Sequence, residues 1–244
     1  MHTCVGRYCQ RMEDASTSPG IPAVVSQTDT PTICNALEVV IGSRTADGFT
    51  RSPVVPLDAS LPPMVGYAVT ATVVAHTAAV TPAVEVAALR RRYYEYVGNA
   101  ARSRPTIVVI EDQSGPTGIG AFWGEVNVAV HKGFGVLGAI TNGSMRDLDE
   151  VDPGFQILAG MVAPSHAFVH VTEIGVPVRV FGLTIRPGDL VHADRHGAVI
   201  IAPDHLARLP DAIRRVQESE APILEAARRP DFSLEMFLET WDAK

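Results

Sequence analysis

One stretch in the middle of the chain holds the residues best suited to chemistry. A Gly124-Glu125 pair opens a helical pattern, and an apolar strand is expected at Val136–Ile140. An adjacent Arg146-Asp147 pair follows the glycine-centred turn after that strand. An arginine guanidinium matches a carboxylate with two parallel hydrogen bonds. An aspartate oxygen suits Mg²⁺, which keeps most of its waters and needs few protein ligands. These residue types predict a site for small oxyacids, with Asp147 as the metal ligand.

Both pairs also have structural interpretations. Arg146-Asp147 could belong to the start of a helix, with Ser144 as the N-cap and Asp147 at the third helical position, an arrangement that resembles a capping box. Taken alone, the Arg-Asp pair favours this structural interpretation over the functional one. Glu125 is a favourable acid in the first turn of a helix. In the functional interpretation, the unpaired N–H groups at that helix start bind a substrate carboxylate. Glu125 then acts as a base or anchors a water of the metal.

Two further patterns carry less weight. The glycine-rich loop at 115–124 lacks the Gly-Lys-Ser/Thr ending of a phosphate loop and is not a dinucleotide fingerprint. The pairs His166/His170 and His192/His196 have the four-residue spacing that binds metals on a helix. The first pair surrounds a predicted strand, where four residues span about 13 Å, and the second spans a turn. Structural or surface roles are therefore predicted for all four histidines.

The composition predicts a turn-rich domain with a real core, since 46% of the 244 residues are hydrophobic, with 20 glycines and 18 prolines. A net charge of −7 without a stripe of Lys and Arg makes nucleic acid an unsuitable partner. Three cysteines argue against a disulfide framework, and Cys4 and Cys9 lack the further ligands of a metal site. No apolar run reaches the ~18 residues of a membrane span, and no signal peptide is evident, so we expect a cytoplasmic protein.

Hydrophobic periodicity and turn signals predict the order of the elements. Helices are expected at 28–41, 83–101, 125–132, 203–219 and 221–229. Strands are expected at 64–76, 106–110, 136–140, 167–174, 178–181, 183–185 and 198–201. The strand, loop, helix and strand between 106 and 140 form a βαβ pattern, which predicts an α/β fold with a mixed or parallel sheet.

Three details complete this assignment. Thr30 is the expected N-cap of the first helix, with Pro31 at its first position. The basic cluster at 90–92 is interpreted as a solvated or subunit-facing side of a helix. The domain limits are a flexible N-terminal extension at 1–27, one domain at 28–230 and a C-terminal tail at 231–244.

Two separated motifs resemble the RraA-like family, which includes the class II 4-hydroxy-4-methyl-2-oxoglutarate aldolases and the RraA regulators of ribonuclease E. The first motif runs from Gly124-Glu125 to Gly143-x-x-Arg146-Asp147, and the second is RPGDLVHADRHGAVIIAP at 186–203. The segments TPTICNAL and PPMVGYAVTATV also resemble the N-terminal part of the family. The resemblance covers the chain from about residue 30 to residue 225.

The resemblance implies a compact ββα sandwich of the swivelling-domain type, with a mixed sheet and flanking helices. It also implies a trimer or hexamer whose active site lies between subunits. In the aldolase branch, Asp147 would hold Mg²⁺ or Mn²⁺ and Arg146 would bind the pyruvyl part of the substrate. Backbone amides around Gly124, Glu125 and Val126 would hold its carboxylate. A glutamate from the C-terminal helix of the neighbouring subunit, matching Glu218 or Glu220, would support the metal's water.

The sequence departs from the family at Asn142-Gly143, where an Asp-Gly turn is frequent. Asparagine keeps the turn geometry, and the lost negative charge is expected to weaken metal binding or to alter the substrate. Regulators tend to lack parts of the metal site, and Glu125, Arg146 and Asp147 are all present. The expectation is therefore a metal-dependent aldolase, with oxaloacetate decarboxylation through the same enolate. A non-catalytic regulator and an enzyme for another hydroxy acid or sugar acid remain the alternatives.

Overall fold

The structure, a computed structural model, describes residues 20–115 and 118–242. Within these ranges the strands are β1 Val55–Pro56, β2 Met64–Val74, β3 Thr106–Asp112, β4 Ala121–Trp123, β5 Val136–Thr141, β6 Ser144–Met145, β7 Gln156–Ala159, β8 Met161–Val162, β9 His170–Ile174, β10 Val178–Val180, β11 Leu183–Ile185, β12 Leu190–Asp194 and β13 Gly197–Ile201. The helices are α1 Ala23–Gln27, α2 Thr30–Ile41, α3 Ala83–Ser103, α4 Glu125–Gly133, α5 Pro203–Leu206, α6 Leu209–Ala227 and α7 Leu234–Asp242.

An eight-stranded mixed sheet forms the centre of the molecule, in the order β1-β7-β5-β3-β2-β12-β13, with β9 also paired to β2. The neighbours β2, β3, β5 and β7 run parallel, whereas β1, β9, β12 and β13 pair antiparallel. A β10-β11 hairpin and a small parallel sheet, β4-β6-β8, complete the strands. The prediction of an α/β fold with a mixed sheet and flanking helices is confirmed.

The central strands are apolar on both sides because both of their faces are covered. All of Thr106–Ile110 in β3 is buried, which is typical of a parallel strand between two layers. Helix α3 contributes Tyr93 and Val97 to one apolar cluster with β2 and β3. Helices α1, α2 and α6 form a second cluster with β12 and β13, and the β10-β11 hairpin belongs to a third. None of the described helices combines the length and apolar character needed to span a bilayer.

Several predicted boundaries differ from the structure. The N-cap of α2 is Asp29, whose carboxylate accepts the N–H of Thr32 at 3.0 Å, and Thr30 is the first helical residue. The N–H of Thr30 donates instead to Asp194, at 2.9 Å. The two helices predicted at 203–219 and 221–229 are a short α5 and a long α6 that continues through Pro222.

The predicted extension and tail contain ordered elements. Helix α1 lies inside the segment 1–27, and its Val25 is fully buried against the second apolar cluster. Helix α7 occupies most of the segment 231–244, although none of its residues is buried. Cys4 and Cys9 lie outside the described residues, and Cys34 is a free cysteine.

His131 joins the helix that begins at Glu125 to the core. Its Nδ1 lies 2.6 Å from the carbonyl oxygen of Asn127, which can only accept, so Nδ1 carries the proton and donates it. Nε2 is therefore unprotonated and accepts a hydrogen bond from the hydroxyl of Tyr93, at 2.7 Å. The imidazole is fully buried and packs edge-on against Trp123, with ring centroids 4.7 Å apart. Burial lowers the pKa of His131 from 6.5 to about 4, with the Asn127 hydrogen bond opposing the shift.

We expect this histidine to make the protein less stable in mild acid. Because the folded pKa lies below the unfolded one, the unfolded state takes up the proton first, and stability present above pH 6.5 is lost towards pH 4. The loss is roughly 3 kcal/mol at pH 4. Urea unfolding between pH 7 and pH 4 measures this slope in the wild type, in His131→Gln and in the exposed control His76→Gln. A slope in His131→Gln equal to that of the wild type would contradict the assignment.

Candidate functional site

The two sequence motifs meet because they follow neighbouring parallel strands. Strand β4 ends at Trp123 and strand β6 ends at Met145, and these two residues are partners in the parallel register. The carboxyl ends of parallel strands lie at the same edge of a sheet. Gly124-Glu125 and Arg146-Asp147 therefore leave the small sheet side by side. The N–H of Arg146 donates to the carbonyl of Trp123 at 2.9 Å, which continues the pairing into the motifs.

Asp147 turns back towards the start of α4. Its Oδ2 accepts the backbone N–H of Glu125 at 3.2 Å and lies 3.6 Å from Nε of Arg146. The backbone of Asp147 is left-handed, with φ 57°, a conformation that Asp tolerates better than most residues. The helix start predicted at Ser144 is wrong, because Ser144 belongs to β6 and its hydroxyl donates to the carbonyl of Gly118.

Gly124 leaves the space that the two side chains occupy. A Cβ on this residue would lie 2.5 Å from Oδ2 of Asp147 and 3.2 Å from Cγ of Arg146. Its backbone is extended, at φ −160°, so any residue fits the conformation and the constraint is the space alone. A glycine at this position therefore allows the carboxylate to reach the N–H of Glu125.

The substitution Gly124→Ala is expected to impair the site and leave the fold intact. The new methyl group must push the Asp147 carboxylate and the Arg146 side chain aside. Displacements of about 1 Å in a catalytic group cost on the order of 100-fold in rate. Steady-state rates with the substrates proposed below, alongside thermal unfolding, measure the effect. Gly133→Ala at the other end of α4 is the control, because a Cβ there meets nothing within 4 Å. Equal rates for the two variants would show that Asp147 and Arg146 need no such space.

The start of α4 offers backbone donors next to Arg146. The N–H of Val128 already bonds to the carbonyl of Gly124, at 3.0 Å. The amides of Val126 and Asn127 are therefore the first-turn donors left without a partner inside the helix. The third first-turn amide, that of Glu125, is occupied by Asp147. The side chain of Glu125 is exposed.

The geometry around Asp147 fits a hard, mostly hydrated cation. Within the described residues no hydrogen bond reaches Oδ1, and the side chain of Asp147 is 30% exposed. The described residues contain no group of three or more His, Cys, Asp or Glu side chains that could enclose a metal. One open carboxylate with room for water is a donor set that Mg²⁺ or Mn²⁺ accepts. Asp147 is the residue that would hold such an ion.

A cavity of about 380 Å³ lies beside the two motifs. Gly124, Val126 and Arg146 line it, and Asp147 and Glu125 are the chain neighbours of these residues. Four polar residues that the sequence analysis did not place at the site also line the cavity: Arg90, Asn127, His166 and His170. Its size falls in the ordinary range for small-molecule sites.

The two histidine pairs have different surroundings. His192 is fully buried, and its Nε2 donates to the carbonyls of Val25 and Thr28, which confirms the predicted structural role. His166 and His170 instead line the cavity. Strand β9 begins only at His170, and the left-handed Ala167 (φ 46°) turns the chain between the two histidines. The extended spacing assumed from the sequence therefore does not apply to them.

Asn142 holds the ends of two central strands together. Its side-chain oxygen accepts the N–H of Asp112 at 2.8 Å, and its Nδ2 donates to the carbonyl of Asp112 at 2.9 Å. A carboxylate at 142 could not donate the second of these hydrogen bonds. Asn142 therefore has a structural role, in which the amide joins the ends of β3 and β5. The expected effect of the lost negative charge on metal binding or on the substrate stays a prediction.

Comparisons with known proteins identify the family of the chain. The model of the RraA-like family (Aldolase/RraA) matches residues 30–200. An uncharacterized protein of Methanocaldococcus jannaschii is 28% identical over 111 residues, 45% of this chain. The chain spans about half of that relative, 53% of its length.

Two solved structures share the fold. A protein from Pseudomonas syringae pv. tomato superposes with a TM-score of 0.66 at 20% identity, over 92% of this chain and 97% of that one. RraAS2 of Streptomyces coelicolor, an unusual member of the RNase ES inhibitor RraA family, gives 0.59 at 23% identity, over 84% and 93%. At these identities the likeness establishes the fold alone. Because the family model covers well over half of the sequence, the chain belongs to the RraA-like family.

Proposed function

We propose that this protein is a divalent-metal-dependent lyase that cleaves a C–C bond in a pyruvyl oxyacid, such as 4-hydroxy-4-methyl-2-oxoglutarate or oxaloacetate. The observation that carries the proposal is the junction of the two motifs. An open carboxylate, a guanidinium and two first-turn amides without a partner inside the helix lie together at one edge of a small parallel sheet, beside a cavity. The RraA-like family includes both aldolases and RNase E inhibitors, and this junction favours the first activity.

The residues of this chain account for binding of a 2-oxo acid. The N–H groups of Val126 and Asn127, at the positive end of α4, suit the substrate carboxylate. Arg146 lines the same cavity and presents a planar fork to the carboxylate and the adjacent oxo group. These donors fix the pyruvyl half of the substrate beside Arg146, the chain neighbour of Asp147.

Bond cleavage places negative charge on the oxo oxygen of the substrate as the enolate forms. Arg146 stabilises that charge, because a fixed cation aimed at developing charge lowers the barrier to reaction. A divalent cation held by Asp147 would supply further polarisation of the same oxygen. With 4-hydroxy-4-methyl-2-oxoglutarate the hydroxyl proton leaves in this step, and we assign Glu125 to take it and to return a proton to the enolate carbon, which completes pyruvate. With oxaloacetate the bond breaks to release CO₂, and the enolate carbon takes its proton from water.

A neighbouring subunit would complete the site. Glu218 and Glu220 lie exposed on α6. The carboxylate of Glu218 accepts a hydrogen bond from Arg214 at 3.4 Å, which leaves most of it open to solvent. We propose that one of these glutamates reaches the site of the next protomer in a trimer or hexamer, as the family resemblance implies.

Pyruvate release tests the proposal. Wild-type protein is incubated with 4-hydroxy-4-methyl-2-oxoglutarate or with oxaloacetate, first with Mg²⁺ and then with excess EDTA, against protein-free controls. Turnover that requires Mg²⁺ and stops with EDTA is expected. Absence of pyruvate from both substrates, with folded protein, would reject the lyase for these substrates.

The second candidate is a non-catalytic regulator of RNA degradation. It is favoured by the fold shared with Streptomyces RraAS2, which is named as a member of an RNase inhibitor family. An inhibition assay with a purified ribonuclease of the E type discriminates between the two. Inhibition without any metal-dependent pyruvate release would support the regulator, and pyruvate release without inhibition would support the enzyme.

A further inference from the structure

The cavity beside the two motifs is lined by cations on two sides. Arg146 enters it from the end of β6, and Arg90 enters from α3, which is a different part of the chain. His166 and His170 form another part of the lining. Among the lining residues that the structure describes, there is no Asp or Glu. A cavity with two guanidinium groups and no acid of its own favours a ligand with more than one negative group.

Arg90 differs from its neighbours in the basic cluster. Arg91 forms an ion pair with Glu95 at 2.9 Å and is 82% exposed. In the described part of the chain no carboxylate lies within ion-pair distance of Arg90. Its hydrogen bonds go to the hydroxyl of Tyr94, from Nε at 3.3 Å and Nη2 at 3.2 Å. The positive charge of Arg90 is therefore not neutralised within the described part of the protein.

The position of Arg90 is set by the helix that carries the first motif. Tyr94 accepts hydrogen bonds from Arg90 and donates its own proton to Oδ1 of Asn127, at 2.8 Å. Asn127 belongs to α4, two residues after Glu125, and its Nδ2 donates to the carbonyl of Phe122. This chain of contacts connects the guanidinium of Arg90 to the helix start that would hold the first carboxylate. The two anion-binding groups are thus fixed relative to one another.

We infer that Arg90 is a specificity-determining residue that binds a second carboxylate of the substrate, remote from the 2-oxo acid end. This inference rests on the proposed function for the identity of the first end, and it adds the residue that recognises the other. Arg90 selects dicarboxylic 2-oxo acids over monocarboxylic ones of the same length. Its planar fork forms charge-assisted hydrogen bonds with the remote carboxylate.

Equilibrium binding tests the inference without any need for turnover. The ligands are 2-oxoglutarate and 2-oxopentanoate, which share a five-carbon chain and differ by a terminal carboxylate in place of a methyl group. Titration calorimetry with Mg²⁺ compares the wild type with Arg90→Gln and with the control Arg91→Gln on the same helix. Wild type and the control are expected to bind 2-oxoglutarate about 10- to 100-fold more tightly. Arg90→Gln is expected to lose this preference through weaker binding of 2-oxoglutarate alone.

Other outcomes overturn the assignment. If the wild type binds both ligands with equal affinity, or binds neither, the proposal of a second carboxylate-binding site is rejected. A preference that persists in Arg90→Gln and disappears in His166→Gln or His170→Gln transfers the site to a histidine and rejects Arg90. Equal weakening of both ligands in Arg90→Gln would show a general role.

The two proposals can fail independently. A preference for 2-oxoglutarate that depends on Arg90, in a protein that releases no pyruvate, establishes the anion site and rejects the lyase. Metal-dependent pyruvate release by the wild type, with unchanged ligand preference in Arg90→Gln, keeps the lyase and rejects Arg90.

Discussion

Replacing Asp147 with asparagine is expected to lower Mg²⁺-dependent pyruvate release by at least about 1,000-fold. Asparagine has nearly the same size, tolerates the left-handed backbone at φ 57° and can still accept the N–H of Glu125. What it lacks is the negative charge that a divalent cation requires. Rates at saturating Mg²⁺ measure the catalytic effect. Titration with Mn²⁺, followed by the electron paramagnetic resonance of the free ion, measures metal affinity.

Asp149→Asn is the matched control, because it removes the same charge from an exposed position two residues away. It is expected to keep wild-type rates and Mn²⁺ affinity. Asp147→Ala should be as inactive as Asp147→Asn, with an added backbone cost of about 1–2 kcal/mol from alanine at a left-handed position. Wild-type turnover in Asp147→Asn, still dependent on Mg²⁺, would place the metal elsewhere.

The long elements of this fold could be predicted from the sequence. The strand expected at 106–110 is Thr106–Asp112 and the one expected at 136–140 is Val136–Thr141. Both are continuous apolar runs bounded by turn residues, a pattern that depends on local composition. The helix expected at 125–132 is Glu125–Gly133, and its two buried residues, Val128 and His131, are three positions apart.

The short strands that build the site could not be predicted in this way. Strands β4 and β6 contain three and two residues, too few to show an alternating pattern. They are defined by their pairing with each other, which is a contact between distant parts of the chain. The proximity of Glu125 to Asp147 could therefore be predicted from the family resemblance but not from the spacing of residues in the sequence.

The residues that line the cavity could not be predicted from the sequence, for a related reason. In the sequence Arg90 is one of three consecutive arginines, and no local pattern distinguishes it from Arg91. The distinction arises because Tyr94 bonds to Asn127 on another helix. The turn at Ala167 that brings His166 and His170 to the cavity uses a positive φ in a residue that rarely adopts one. Tertiary contacts decide both features.

Arg146→Lys is expected to lower kcat/KM about 100-fold while leaving Mn²⁺ affinity intact. Lysine keeps the positive charge, but its ammonium is a point donor and cannot present two parallel N–H groups to a 2-oxo acid. The metal should bind about as well as before, because lysine keeps a positive charge beside Asp147 and the substitution leaves the Asp147 carboxylate itself unchanged. Arg91→Lys, an exposed change of the same kind, is the control.

This pattern separates the two residues of the motif. Asp147→Asn should lose both metal and activity, whereas Arg146→Lys should lose activity and keep the metal. If Arg146→Lys released the ion to the same extent as Asp147→Asn, Arg146 would act by holding the Asp147 carboxylate in place and would have no separate role at the substrate. If it retained the wild-type kcat/KM, a single positive charge would be sufficient at this position. The expected result, retained metal with a 2-oxo acid bound about 100-fold more weakly, would assign the guanidinium to the substrate's oxygens.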